Sequence, residues 1–128
     1  MRNCGASKMS YFFDSYAIIE ILLGNQAFEK YGAETLTTTE VCLAETYYAL
    51  LRIGRPDARS VLSNLRADII EPSRNDWFAA VEYRLSRKTE RISLVDALGY
   101  TISRKNGLKF LTGDEKFKDI PGVEYLKK

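Results

Sequence analysis

The sequence predicts an α/β domain of three layers, a short parallel sheet with helices on both faces. Helical and strand-like patterns alternate along the chain, as strands joined by helical crossovers require. The first strand-like run, residues 10–13, is largely apolar on both faces, as suits a central strand covered from two sides. A length of 128 residues with 45% apolar composition gives one domain with an ordinary core. That domain is expected over residues 10–128, behind a flexible arm over 1–9.

The run SYFF (10–13) ends in Asp14, which stands at the strand's carboxyl end, where open parallel sheets build their sites. Asp14 could equally cap the helix behind it, a task Ser15 could also perform. That helix carries Tyr16, Ile18, Ile19, Leu22 and Leu23, contains Glu20, and closes at Gly24–Asn25. A short helix over 26–31 stops at Gly32. Residues 36–38 make a brief strand feeding a long helix to about Ile53, with Thr37 and Glu40 at capping-box spacing. Glu45 shares a face of this helix with Val41 and Tyr48, so its carboxylate either snorkels outward or serves a purpose.

Gly54 and Pro56 end that helix, and another follows from Asp57–Ala58 with Val61, Leu62 and Leu65 on its apolar side. Residues 69–70 can form a strand before Pro72. Asn75 or Asp76 is expected to cap a helix whose apolar side is Trp77, Val81 and Leu85, and whose charged end, 84–91, reads as a solvated face. The next helix runs from Ser93 to about Asn106–Gly107 on a core stripe of Leu94, Ala97, Leu98, Thr101 and Ile102. Asp96 points away from that stripe, and its spacing from Ser93 again allows a cap. Residues 108–112 form a strand broken at Gly113–Asp114; a helical turn to Phe117 and a last strand over 123–126 complete the chain.

Composition narrows the chemistry. The net charge of +2 neither requires nor excludes nucleic acid, but the absence of histidine removes Zn–His sites, histidine bases and Ser–His–Asp triads. Any metal must be held largely by oxygen, which points to Mg2+ or Mn2+. Cys4 and Cys42 have no metal-type spacing; Cys42 reads as a small buried hydrophobe and Cys4 as part of the arm. No apolar run is long enough to span a membrane, and the first ten residues lack a signal peptide's apolar segment, so a reducing, cytoplasmic setting is expected.

A parallel sheet gathers strand carboxyl ends and helix amino ends on one edge, which could bring Asp14, Glu45, Asp96 and Asp114 together. Four like charges raise one another's pKa unless a cation compensates them. A bound metal would make the set a Lewis-acid site suited to in-line attack of water on a phosphodiester. Acids at such ends are also common as caps, and many activities share this layout.

Four segments, FFDSYAII (12–19), TTTEVCLAETYYALLR (37–52), ISLVDAL (92–98) and FLTGDEKF (110–117), together resemble the PIN domain. Their order, with TGD after the penultimate strand, is similar to the small VapC-type toxins of bacterial and archaeal toxin–antitoxin pairs. The resemblance covers residues 10–126 and implies a PIN-like α/β/α fold and an Mg2+- or Mn2+-dependent endoribonuclease. On it, Asp14, Glu45, Asp96 and Asp114 match the family's four acids, catalytic and metal-holding, and Ser15 matches the small hydroxyl residue that follows the first. Glu20 and Asp119 match nothing catalytic, and Ser103–Arg104 departs from the small apolar residues usual there.

The resemblance also implies a homodimer silenced by a small antitoxin laid across residues 15–23 and 26–31. Arg52, Arg55, Arg59 and Arg66 form a basic region that could contact RNA phosphates without reading sequence. Two other readings stand beside the toxin: a PIN-like ribonuclease of RNA maturation or quality control, and an inactive RNA- or protein-binding module that keeps the acids only as caps.

Overall fold

The computed structural model describes residues 10–33 and 35–127; the expected arm over 1–9, with Cys4, lies outside them. Among the described residues one sheet is built from β1 (Tyr11–Phe13), β2 (Leu36–Thr38), β3 (Ala67–Ile69), β4 (Lys109–Thr112) and β5 (Val123–Tyr125). Its order is β3-β2-β1-β4-β5, and every neighbouring pair is parallel. The helices are α1 (Ser15–Leu22), α2 (Gln26–Glu29), α3 (Glu40–Arg52), α4 (Ala58–Ser63), α5 (Arg74–Ser86) and α6 (Leu94–Lys105).

Successive residues of β1 serve opposite layers, because side chains alternate across a strand. Phe12 is in register with Phe110, and both join Ala80, Ala97, Leu98 and Ile102 in the core under α5 and α6. Phe13 is in register with Leu111, and both pack with Ala17, Ile18 and Phe28 under α1 and α2. The expected doubly covered central strand and three-layer architecture are therefore what the chain adopts. Gly99 lets α6 approach this closely: a Cβ there would stand 2.9 Å from the Phe110 ring and 3.0 Å from that of Phe12.

Several local expectations are corrected. Thr37 is not the cap of α3; the strand continues through Thr38, so Thr39 takes that role and its hydroxyl accepts from Cys42 N at 3.3 Å. The cap of α5 is Ser73 rather than Asn75 or Asp76, and Asp76 closes a reciprocal capping box from inside the helix. The buried side of α5 is Asp76 and Ala80 with half-buried Trp77 and Tyr83, whereas Val81 and Leu85 are exposed. The strand expected over 69–70 sits instead at β3, where the register with Leu36–Thr38 places it.

The charged run after α5 is more than a solvated face. Arg84 Nε donates to Ile92 O at 3.2 Å, and Arg87 lies over the Phe117 ring while donating to the Lys116 carbonyl. The Arg84 contact ties α5 to the segment before α6, and those of Arg87 tie its end to the turn after β4. Ser103, where an apolar residue was expected, is fully buried, and its hydroxyl donates back to Gly99 O at 2.6 Å, so no polar group is stranded. Cys42 is buried and unpaired, its thiol pushed up to about 12 chiefly by burial. No helix among the described residues is long and apolar enough to cross a membrane.

Candidate active site

The strand order sets where a site can form. From β1 the sheet grows through β2 to β3 on one side, and the chain then returns to lay β4 and β5 on the other. The β1/β4 boundary is thus the switch point of a parallel sheet, where a crevice opens beyond the strand carboxyl ends. Asp14 directly follows β1, and Thr112 and Asp114 stand at the end of β4.

Asp14 is built into this crevice from both strands. Its backbone N–H donates to Leu111 O at 3.1 Å, continuing the ladder one step past β1. Its carboxylate accepts from Ser15 N at 2.8 Å, capping α1, and from Thr112 Oγ1 at 2.7 Å. Only 2% of the residue is exposed. Burial, followed by the negative charges of Asp96 and Glu45, pushes its pKa up to about 8, against the opposing bonds from Thr112 and Ser15. Desolvation penalises the charged form, and like charges add to that penalty.

The other three predicted acids face the same space. Glu45 turns inward from α3, its Oε1 accepting from Ser15 Oγ at 2.8 Å, so Ser15 holds Asp14 through its backbone and Glu45 through its side chain. Asp96 lies in the first turn of α6, where its N–H is capped by Ser93 Oγ at 3.0 Å. Burial is the main cause raising the Asp96 pKa; hydrogen bonds from Ser93 oppose it, while the charges of Asp114 and Glu45 add to it. Asp114 caps the turn Glu115–Phe117 through Lys116 N at 3.0 Å, and its own N–H donates to Thr112 Oγ1 at 3.1 Å.

Together the four acids and Ser15 line one cleft of about 330 Å3, with Tyr16, Ile19, Tyr48 and Ser93 completing its walls. Among the described residues no lysine or arginine forms an ion pair with any of the four acids. The donors are oxygens alone, and a buried carboxylate lacking a cationic partner is the environment that a hard divalent cation would relieve. As the side chains stand, no group of three or more such residues among those described is drawn close enough to form a ready cage.

None of the predicted arginines lines the cleft itself, and Arg52 comes nearest, beside Tyr48. Arg55 donates to Leu22 O at 3.4 Å and pairs with Asp57 at 2.8 Å, which puts it at the opposite end of α1 from Asp14. Arg52 lies over the ring of Tyr48, and Arg59 over that of Tyr47. Sequence reasoning missed Thr112, Tyr48 and Ser93 as parts of the site. A hydroxyl residue closing a strand immediately before Gly–Asp was the available signal for Thr112. Gly113 also has a site-specific reason: a Cβ there would collide with the Tyr16 ring, which forms a wall of the cleft.

The family model of the PIN domain matches residues 11–123. Among solved structures, the chain is similar in fold to a toxin–antitoxin complex from Klebsiella pneumoniae, with TM-score 0.73 and 19% identity over 93% of this chain and 100% of the other. It is similar also to the VapC20 toxin of Mycobacterium tuberculosis, described as cleaving the sarcin–ricin loop, with TM-score 0.76 and 17% identity over 93% and 100%. The VapBC2 complex of Rickettsia felis, bound to a promoter DNA fragment, has TM-score 0.66 and 19% identity over 93% and 98%. No curated protein sequence matches the chain.

Proposed function

The chain belongs to the PIN domain family, and on that premise we propose that it is an Mg2+- or Mn2+-dependent endoribonuclease, the toxin of a toxin–antitoxin pair acting in the cytoplasm. The observation that carries this reading is Asp14: a buried carboxylate at the sheet's switch point, facing three further acids and raised to a pKa of about 8. Such an arrangement is costly unless a cation completes it.

Asp14, Glu45, Asp96 and Asp114 would hold the ion, which when bound supplies Lewis acidity and an activated water for phosphodiester hydrolysis. The chain's own residues orient the donors. Thr112 and the Ser15 amide fix the two Asp14 oxygens, and the Ser15 hydroxyl fixes Glu45. Sheet and helix ends hold Asp14 and Glu45 before substrate arrives, and the four carboxylates would close the rest of the way together around an arriving ion.

Partners follow from the same reading. A homodimer is supported by Phe78, Val81 and Leu85, exposed on the outer side of α5. The antitoxin surface expected on α1 and α2 is narrower than the sequence suggested, because Ala17, Ile18 and Phe28 are core. The exposed apolar residues are Leu23 after α1 and Leu51 and Ile53 at the adjoining end of α3. One observation favours the inactive module instead: Asp14 and Asp114 each cap a helical segment, and Asp96 opens α6 in its first turn.

The test is cleavage of total cellular RNA by purified protein, with chelator and with Mg2+ or Mn2+. Cleavage that needs the ion and vanishes in Asp14→Asn supports the nuclease. Cleavage unchanged in that variant overturns it, and an absence of both cleavage and Mn2+ binding favours the inactive module. A neighbouring gene for a small DNA-binding protein would separate the toxin from a ribonuclease of RNA maturation.

A further inference from the structure

Tyr48 is the feature of the cleft that the acids leave unexplained. It follows Glu45 by three residues on α3, and side chains at that spacing stand on one helix face about 5–6 Å apart. The ring lines the same cleft as Asp14, Glu45, Asp96 and Asp114, yet 63% of the residue is exposed. It contributes to neither core cluster. An aromatic ring held at the mouth of an anionic cleft has an apolar face to offer and a polar rim to keep wet.

Arg52, one turn further along α3, places its guanidinium carbon 5.7 Å from the Tyr48 ring centroid. A cation beside an aromatic face is the pair of groups that single-stranded nucleic acid engages: the base stacks on the ring while the charge meets a phosphate. We infer that Tyr48 is a stacking platform for a nucleobase of the RNA substrate next to the cleaved phosphodiester, with Arg52 holding the adjoining phosphate. The inference rests on the ribonuclease reading. It adds a residue that positions substrate and favours targets with an unpaired base beside the cut, since a base inside a helix cannot reach the ring.

The experiment first maps a cut in total cellular RNA, then uses a synthetic RNA spanning it, with and without an abasic nucleotide on either side of the cut. Tyr48→Ala should lower kcat/KM about 5- to 150-fold, mainly through KM, the range set by base–aromatic stacking. Tyr48→Phe and Tyr48→Trp should retain activity, because stacking needs the ring and not the hydroxyl. The abasic substrate should cost the wild type a similar factor at one flanking position and cost Tyr48→Ala little. Arg52→Met should flatten the salt dependence by about 0.7 in the log–log slope.

Equal cleavage by Tyr48→Ala and wild type overturns the inference and leaves the ring to a protein partner. A loss in Tyr48→Phe as large as in Tyr48→Ala also overturns it, because the hydroxyl is then what matters. So does a Tyr48→Ala protein that no longer gains thermal stability from Mn2+. A wild type that cuts no RNA under any ion fails the ribonuclease reading itself, an outcome distinct from these three.

Discussion

Asp14 and Asp76 are both buried aspartates next to helix starts, 2% and 8% exposed, and the protein treats them in opposite ways. Asp76 accepts Ser73 N at 2.8 Å within a capping box and Lys105 Nζ at 2.8 Å. The lysine first, then the Ser73 backbone, hold its pKa below the ordinary value. Asp14 also accepts two hydrogen bonds, but burial first, then the charges of Asp96 and Glu45, raise its pKa to about 8. Hydrogen bonding is common to both, so the difference lies first in how strongly burial penalises each carboxylate and then in the sign of the nearby charge. Asp76 has a cation supplied by the chain in Lys105, whereas among the described residues no lysine or arginine pairs with Asp14.

Cleavage offers the sharpest way to break that contrast. Asp14→Asn should lower RNA cleavage by at least about 100-fold, because loss of groups that merely support metal ligands already costs 10–100-fold. Asp76→Asn should leave the rate per folded molecule unchanged. Rates measured on both variants at equal folded concentration decide it, and equal losses would remove any functional distinction between the two aspartates.

Metal addition comes next in size. Mn2+ at one hundred times its dissociation constant should stabilise the wild type by about 2.7 kcal/mol through preferential binding to the native state. Asp76→Asn should gain as much and Asp14→Asn distinctly less. In chelator the sign reverses for Asp14. A folded pKa raised from 3.8 to about 8 gives a contribution complete below the unfolded pKa and lost as pH rises through the folded one. Asp14→Asn should therefore become at least as stable as wild type between pH 4 and pH 8. Melting curves at both ends of that window, with and without Mn2+, check both statements.

The two aspartates also mark what the sequence could disclose. The position of Asp14 was legible because an apolar run ending in a carboxylate marks a strand end, and alternation of elements was enough to place it at a sheet edge; the run alone left site and helix cap equally open. Asp14's partner Thr112 is 98 residues away, and only the β1–β4 pairing brings them together. Asp76 was misread because α5 carries two interleaved stripes. Trp77, Val81 and Leu85 form the more apolar one, but Val81 and Leu85 are exposed, while Asp76 and Ala80 face α6. A polar residue on the buried side, paid for by Lys105 from another helix, hides that side from any reading by hydrophobicity. Capping failed at Ser73 and Thr39 for a related reason: several adjacent residues had cap chemistry, and the exact end of the preceding segment chose among them.

Stability separates the aspartates in the other direction. Asp76→Ala should cost about 1–2 kcal/mol, the scale of losing a helix cap together with a partly exposed ion pair. Urea unfolding of Asp76→Ala beside Asp14→Asn, in chelator at neutral pH, should destabilise only the first. A loss in Asp14→Asn of the same size would mean that Asp14 is chiefly a cap of α1.

The smallest effect isolates the cation itself. Lys105→Met keeps the apolar stem and removes the charge beside Asp76. Because the lysine side chain is 61% exposed, solvent screens the pair, and the loss should be only about 0.2–1 kcal/mol. Its pH dependence carries the information. The folded pKa of Asp76 lies below 3.8, so the contribution is present above that value and lost as pH falls through the folded pKa. The gap between wild type and Lys105→Met should thus be open at neutral pH, close in acid, and shrink in high salt. The gap between Asp14→Asn and wild type should run the opposite way, opening as pH rises. Urea unfolding of the three proteins near pH 3 and pH 7 measures both gaps. If the Lys105→Met gap survives acid unchanged, it does not come from pairing the ammonium with the Asp76 carboxylate, because that carboxylate is protonated there. The cation would then not be what sets Asp76 apart from Asp14.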